Sequence, residues 1–151
     1  MTYKALGFWT EANKVCVLAR RRRQHEGSPD EWRADPVKLA RLAVQSDPDP
    51  DVITYLRSGK VFEVWRGYSH CRFRCGVSAT KMGDRDLTDG VWIWPEGLVH
   101  YVEAHHVPLP AEFVATAQAH HGEVPETVID RTRPIDRAFW NDWYDRQTGV
   151  A

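Results

Sequence analysis

The densest chemistry in the chain lies in Arg66-Gly67-Tyr68-Ser69-His70-Cys71-Arg72-Phe73-Arg74-Cys75-Gly76. Read as a β-strand, Tyr68 to Cys75 alternates between two faces. Ser69, Cys71, Phe73 and Cys75 then share one side, small and apolar enough for a core. Tyr68, His70, Arg72 and Arg74 share the other, a row of donors and positive charge, with Arg66 beside it. Arginines two residues apart on a strand stand about 6.6–7 Å from one another. That spacing suits bidentate capture of carboxylate or phosphate groups. The strand therefore reads as the cationic face of a small binding module. Its partner would be an anionic small molecule or an acidic protein surface, with Trp92 or Trp94 walling the site. Pairing of the arginines with Asp84, Asp86 or Asp89 of the following acidic loop is the plainer alternative.

Cysteine chemistry gives a second reading. A thiolate is the reactive form of cysteine, and it needs a base and an orienting group. Cys71 as nucleophile, His105 as base and Asp89 as orienting acid make a small cysteine-dependent enzyme, provided the helix carrying His105 crosses the strand. His70 and Arg72 point away from Cys71 on a strand, so neither serves as that base.

Cys71 and Cys75 also raise the question of zinc. Four residues of regular strand separate them by about 13 Å, whereas zinc needs each sulfur at about 2.3 Å. A shared ion thus requires a bend near Phe73 and two histidines to complete the set. His100 and His105 stand about 140° apart around a helix, which argues against a metal pair. On this reading no metal ligand and no cofactor is assigned. Asp84–Gly90 has the composition of a calcium loop. However, counting from Asp84, Gly90 falls at position 7 and Pro95 at position 12, and neither fits that geometry.

A third possibility is phosphate contact through Arg20-Arg21-Arg22-Arg23. The net charge is −1 over 151 residues, so no global basic field favours nucleic acid, and the sequence argues against that partner.

These residues must be positioned by a fold. Hydrophobic residues make up 42 % and charged residues 27 %, the balance of a globular chain rather than a disordered one. No stretch approaches the roughly 20 apolar residues of a bilayer span, so no membrane partner is expected. The N-terminus has no signal-peptide pattern. Three cysteines give no disulfide framework, which suits a reducing compartment. The cytoplasm is the expected location.

Asp-Pro pairs mark helix starts, because Asp caps free N–H groups and Pro suits the first helical position. Asp35-Pro36 opens a helix to about Val44, and Asp49-Pro50 opens another closed by Gly59. Val61–Arg66 is a strand, Tyr68–Cys75 its hairpin partner, residues 76–90 a polar loop and Val91–Trp94 a short strand. Helices follow from Pro95 to about His105, from Pro110 to near Gly122, and from Pro134 onward. Ile135, Phe139, Trp140 and Trp143 make an aromatic stripe that docks on the body. Lys14–Ala19 fits helix or buried strand equally. The expectation is one α+β domain over 1–151, with a largely antiparallel sheet spanning about residues 61–94 packed with several helices.

Overall fold

The structure is a computed structural model that describes residues 1–11, 31–43 and 47–149. The ambiguous segment Lys14–Ala19 and the arginine run Arg20–Arg23 lie outside the described residues.

Both Asp-Pro pairs act as the sequence predicts. Asp35 caps α1 (Pro36–Leu42) by accepting from the Val37 N–H at 2.9 Å. Asp49 caps α2 (Pro50–Arg57) by accepting from the Asp51 N–H at 2.8 Å. The described strands are β1 (Tyr3–Ala5), β2 (Lys60–Val64), β3 (Arg85–Thr88), β4 (Trp92–Pro95) and β5 (Ile135–Asp136). They form one sheet in the order β2-β3-β4-β1-β5. A short helix α3 (Ala79–Met82) precedes β3; α4 (Leu98–His105) and α5 (Ala111–Ala119) follow β4; α6 (Arg137–Thr148) closes the chain.

The α+β class holds, but the sheet is mixed rather than largely antiparallel. The β2-β3-β4 half is antiparallel, while β1 runs parallel to both β4 and β5. The three-residue β1 is too short to stand out as a periodic run. Its Tyr3 and Ala5 are fully buried, and its pairing is decided by packing. Pro134 does not begin the last helix. Ile135 and Asp136 first pair with Tyr3 and Lys4, and Asp136 then caps α6 through the Phe139 N–H at 3.0 Å. The aromatic stripe does dock: Trp140 is fully buried, Trp143 nearly so, and Trp140 Nε1 donates to the Phe8 carbonyl at 2.8 Å.

The larger correction concerns residues 68–75, which are not a strand. The hairpin partner of β2 is β3, where Val61 opposes Leu87 and Val64 opposes Arg85. β-branched and aromatic content describes fitness for a half-buried pleated surface, not a backbone preference; β3 occupies that surface. The chain leaves β2 at Val64 and returns at Asp84, where the Trp65 N–H donates to the Asp84 carbonyl at 2.7 Å. Everything between is an excursion from the tip of one hairpin. Arg74 takes a left-handed φ of 52°, and its N–H donates to the Cys71 carbonyl at 3.1 Å. The predicted strand is thus folded into a tight turn centred on Phe73.

Trp92 and Trp94 are core residues, 2 % and 0 % exposed, so neither walls a surface site. Trp92 and Trp94 both meet Phe113 edge-on, and Trp94 Nε1 donates to the Leu56 carbonyl at 3.2 Å. The exposed edge of β2 is blunted by Arg131, whose Nε donates to the Phe62 carbonyl at 2.8 Å, which protects it against strand addition. Among the described residues no helix is long and apolar enough to cross a membrane.

Candidate metal centre

A hairpin excursion of this length, with one four-residue helix in it, needs something to hold it. Loops beyond about 12–15 residues without much secondary structure are uncommon in compact domains and are usually functional. Three kinds of contact hold this one against α4.

The first is backbone pairing at its neck. The Ser69 N–H donates to the Gly83 carbonyl at 3.0 Å, and Gly83 itself sits at φ 80°. The second is Tyr101, in the middle of α4 and 3 % exposed. Its hydroxyl accepts from the Arg72 N–H at 2.9 Å and donates to the His70 carbonyl at 3.2 Å. One phenol thereby satisfies two backbone groups flanking Cys71. Gly97, just before α4, makes room for this approach. A Cβ there would stand 2.8 Å from the Met82 carbonyl oxygen, so α3 and α4 pack backbone against backbone.

The third contact is the site itself. The turn at Phe73 swings Cys71 and Cys75 to the same side, facing His100 and His105 of α4. Cys71 Sγ lies 3.4 Å from His105 Nε2, and Cys75 Sγ lies 3.3 Å from His100 Nε2. One ligand atom from each of the four residues falls within 4.8 Å of all the others. A tetrahedral zinc ion with ordinary bond lengths sets sulfur and nitrogen about 3.5 Å apart and two sulfurs about 3.8 Å apart. The observed spacing is therefore that of a closed Cys2His2 set needing only small adjustment. The two objections drawn from the sequence both fail. The 13 Å separation assumed a strand that does not form. The 140° between the histidines does not keep them apart, because their side chains reach across and leave ring centroids 5.1 Å from one another. Phe73, at the turn, stacks flat on His105 at 3.9 Å and 4°, fixing the plane of that imidazole.

Electrostatics at the cluster follow from burial. Cys71 is 8 % exposed. Burial raises its thiol above the ordinary value, and neighbouring Cys75 raises it further. Burial lowers His105 and His100, with His100 adding to the effect on His105. Without a cation the surroundings thus favour a neutral Cys71 thiol and neutral imidazoles. A bound dication inverts this for the thiols, which ligate as thiolates, and uses the neutral imidazoles as they stand.

The remaining residues singled out in the sequence divide sharply. Cys71 and His105 are together, but Asp89 is not with them. One of its oxygens accepts from the Tyr55 hydroxyl at 2.5 Å, and the other from the Val91 and Trp92 N–H groups at 2.9 and 2.7 Å. Asp89 shapes the turn into β4. Arg72 is largely buried, its guanidinium donating to the Thr10 carbonyl at 2.8 Å, so it ties the loop to the N-terminal segment rather than facing solvent. Arg66, Tyr68, His70 and Arg74 are exposed. Sequence reasoning did not bring Cys75 and His100 together with Cys71 and His105, nor Tyr101 and Phe73 beside them. The signal was the spacing: C-x3-C and H-x4-H both fall within the intervals common in structural zinc sites.

Comparison with known proteins gives no match to a family model, a curated protein or a solved structure.

Proposed function

We propose that the chain is a zinc-dependent recognition module. Cys71, Cys75, His100 and His105 bind one zinc ion, and the ion pins the 66–83 excursion to α4 so that its exposed basic and aromatic residues can meet an anionic ligand or partner. The observation that carries this reading is the convergence of two thiols and two imidazoles, from segments some thirty residues apart, within 4.8 Å. A mixed sulfur and nitrogen set with tetrahedral spacing suits zinc among the common divalent metals. Four protein ligands leave no open position, which is the structural rather than the catalytic pattern.

Metal content is the test. Protein prepared without chelator should carry one equivalent of zinc, and cobalt in its place should give a tetrahedral, thiolate-bearing visible spectrum. Cys75→Ser, at an exposed ligand whose loss leaves the core intact, should abolish stoichiometric binding while the near-ultraviolet signature of the tryptophan core survives. Wild-type protein that takes up no zinc, or a cobalt spectrum without thiolate character, would overturn the proposal.

The 3.4 Å Cys71–His105 pair favours a second reading, a cysteine nucleophile with a histidine base. Against it stand the burial of Cys71, which holds the thiol protonated, and the engagement of Asp89 elsewhere. It also leaves the matching Cys75–His100 pair without a role. Rapid iodoacetamide labelling of Cys71 in zinc-saturated protein would favour this reading over the metal.

A further inference from the structure

From Val64 to Gly83 the sequence contains no Asp or Glu, and it holds Arg66, Arg72, Arg74 and Lys81. This basic, acid-free stretch sits in a chain of net charge −1. It is also the stretch that the structure lifts out as one excursion and folds against α4. The charge is not neutralised in the fold. Elsewhere some cations meet acids, as Lys4 does Glu112, Arg33 Asp145, Arg57 Glu103 and Lys60 Glu126, while Lys38, Arg41, Arg131 and Arg146 are exposed singly along the rest of the chain. Among the described residues, Arg66, Arg74 and Lys81 pair with no acid, and all three are exposed. A zinc ion held by two thiolates and two neutral imidazoles carries no net charge, so metal binding would leave the basic character of the loop unchanged.

Interleaved with these cations are two aromatic rings that a core would normally cover. Trp65 is 58 % exposed and Tyr68 51 % exposed. Trp65 is not loose. Its Nε1 donates to the buried Asp86 carboxylate at 2.9 Å, and its backbone is tied to Asp84. A ring anchored by one edge with much of its surface in solvent is a ready stacking platform. Small anions and acidic proteins need the charges but not the rings. Nucleic acid with unpaired bases needs both, because bases stack on aromatic faces while lysine and arginine follow the phosphates.

We infer that the metal-pinned loop binds single-stranded nucleic acid, stacking bases on Trp65 and Tyr68 and holding phosphates with Arg66, Arg74 and Lys81. The inference rests on the metal reading for the shape of the loop but is tested separately from it. The probe is a fluorescein-labelled 15-nucleotide oligothymidylate, titrated with zinc-loaded full-length protein and read by anisotropy. Zinc content is measured on the same samples. Three phosphate contacts on a single strand predict a log–log salt slope of about −2, hence roughly 16-fold weaker binding at 200 mM than at 50 mM salt. Arg66→Glu with Arg74→Glu should weaken binding at least tenfold with zinc retained. Trp65→Ala should weaken it by roughly 5- to 150-fold, the range for a lost base stack. Replacing Arg20–Arg23 with glutamine should leave most of the affinity.

Each other outcome has a definite meaning. No binding by zinc-loaded protein overturns the inference and leaves the metal site standing. Binding that survives the double reversal, or that is lost with Arg20–Arg23 instead, overturns it as well. Capture of poly-L-glutamate but not oligothymidylate replaces nucleic acid with an acidic protein surface. Oligonucleotide binding through these residues by protein that takes up no zinc upholds the surface and removes the metal.

Discussion

Asp86 gives the sharpest quantitative prediction. It lies on β3, 7 % exposed, with Trp65 Nε1 as its hydrogen-bond donor at 2.9 Å. No cation pairs with it among the described residues. Burial raises its carboxyl from 3.8 to about 6, opposed by the Trp65 hydrogen bond and assisted by Glu63. Each tenfold change in an acid constant is 1.36 kcal/mol, so the charged form costs the fold up to about 3 kcal/mol at neutral pH. Asp86→Asn removes that charge and keeps an oxygen to accept from Trp65. The expected result is a gain of about 1–3 kcal/mol in unfolding free energy at pH 7.5. For a domain of this size that raises Tm by about 2–4 °C per kcal/mol.

The sign of the pH dependence follows from linkage. Below about pH 4 the carboxyl is protonated in both states, and the variant should have no advantage. From pH 4 to 6 the unfolded chain releases the proton while the folded chain keeps it, so wild-type stability falls relative to the variant. Above about pH 6 both forms are ionised and the difference levels off. Chemical denaturation of both proteins at pH 4, 5, 6 and 7.5 measures this difference directly, with all other groups cancelling. A variant less stable than wild type at pH 7.5, or a difference independent of pH, would refute the assignment of Asp86 as a buried carboxylate.

Further outcomes follow from the same contacts. Tyr101→Phe deletes the hydroxyl that serves the Arg72 N–H and the His70 carbonyl; a loss of about 1–3 kcal/mol, with faster hydrogen exchange at Arg72, should result. Gly97→Ala would force α4 away from the Met82 carbonyl and should lower stability by at least about 1 kcal/mol in thermal unfolding. Chelation of zinc from protein kept with free zinc at 100 times the dissociation constant should remove about 2.7 kcal/mol of stability. This would appear as a Tm drop in calorimetry that Cys75→Ser no longer shows.

The sequence by itself determined the elements whose signals are local. Asp35 and Asp49 cap their helices because a carboxylate followed by proline meets the needs of a free helix end wherever it stands. Val61–Val64 and Trp92–Trp94 became strands because both are short β-branched and aromatic runs. Phe139, Trp140 and Trp143 turned inward because an aromatic helical stripe has nowhere else to go. Tertiary structure decided the rest. Whether residues 68–75 pair with β2 depended on a competitor, β3, hidden in a polar-looking loop. Once β3 took that edge, the segment between had to fold back on itself, and its strand-like composition had no ladder to join. The spacing of Cys71 and Cys75 and of His100 and His105 was present in the chain throughout. Ligand geometry, however, is a property of distances in space. Only the turn at Phe73 and the packing of α3 on α4 at Gly97 bring donors far apart in sequence to one point.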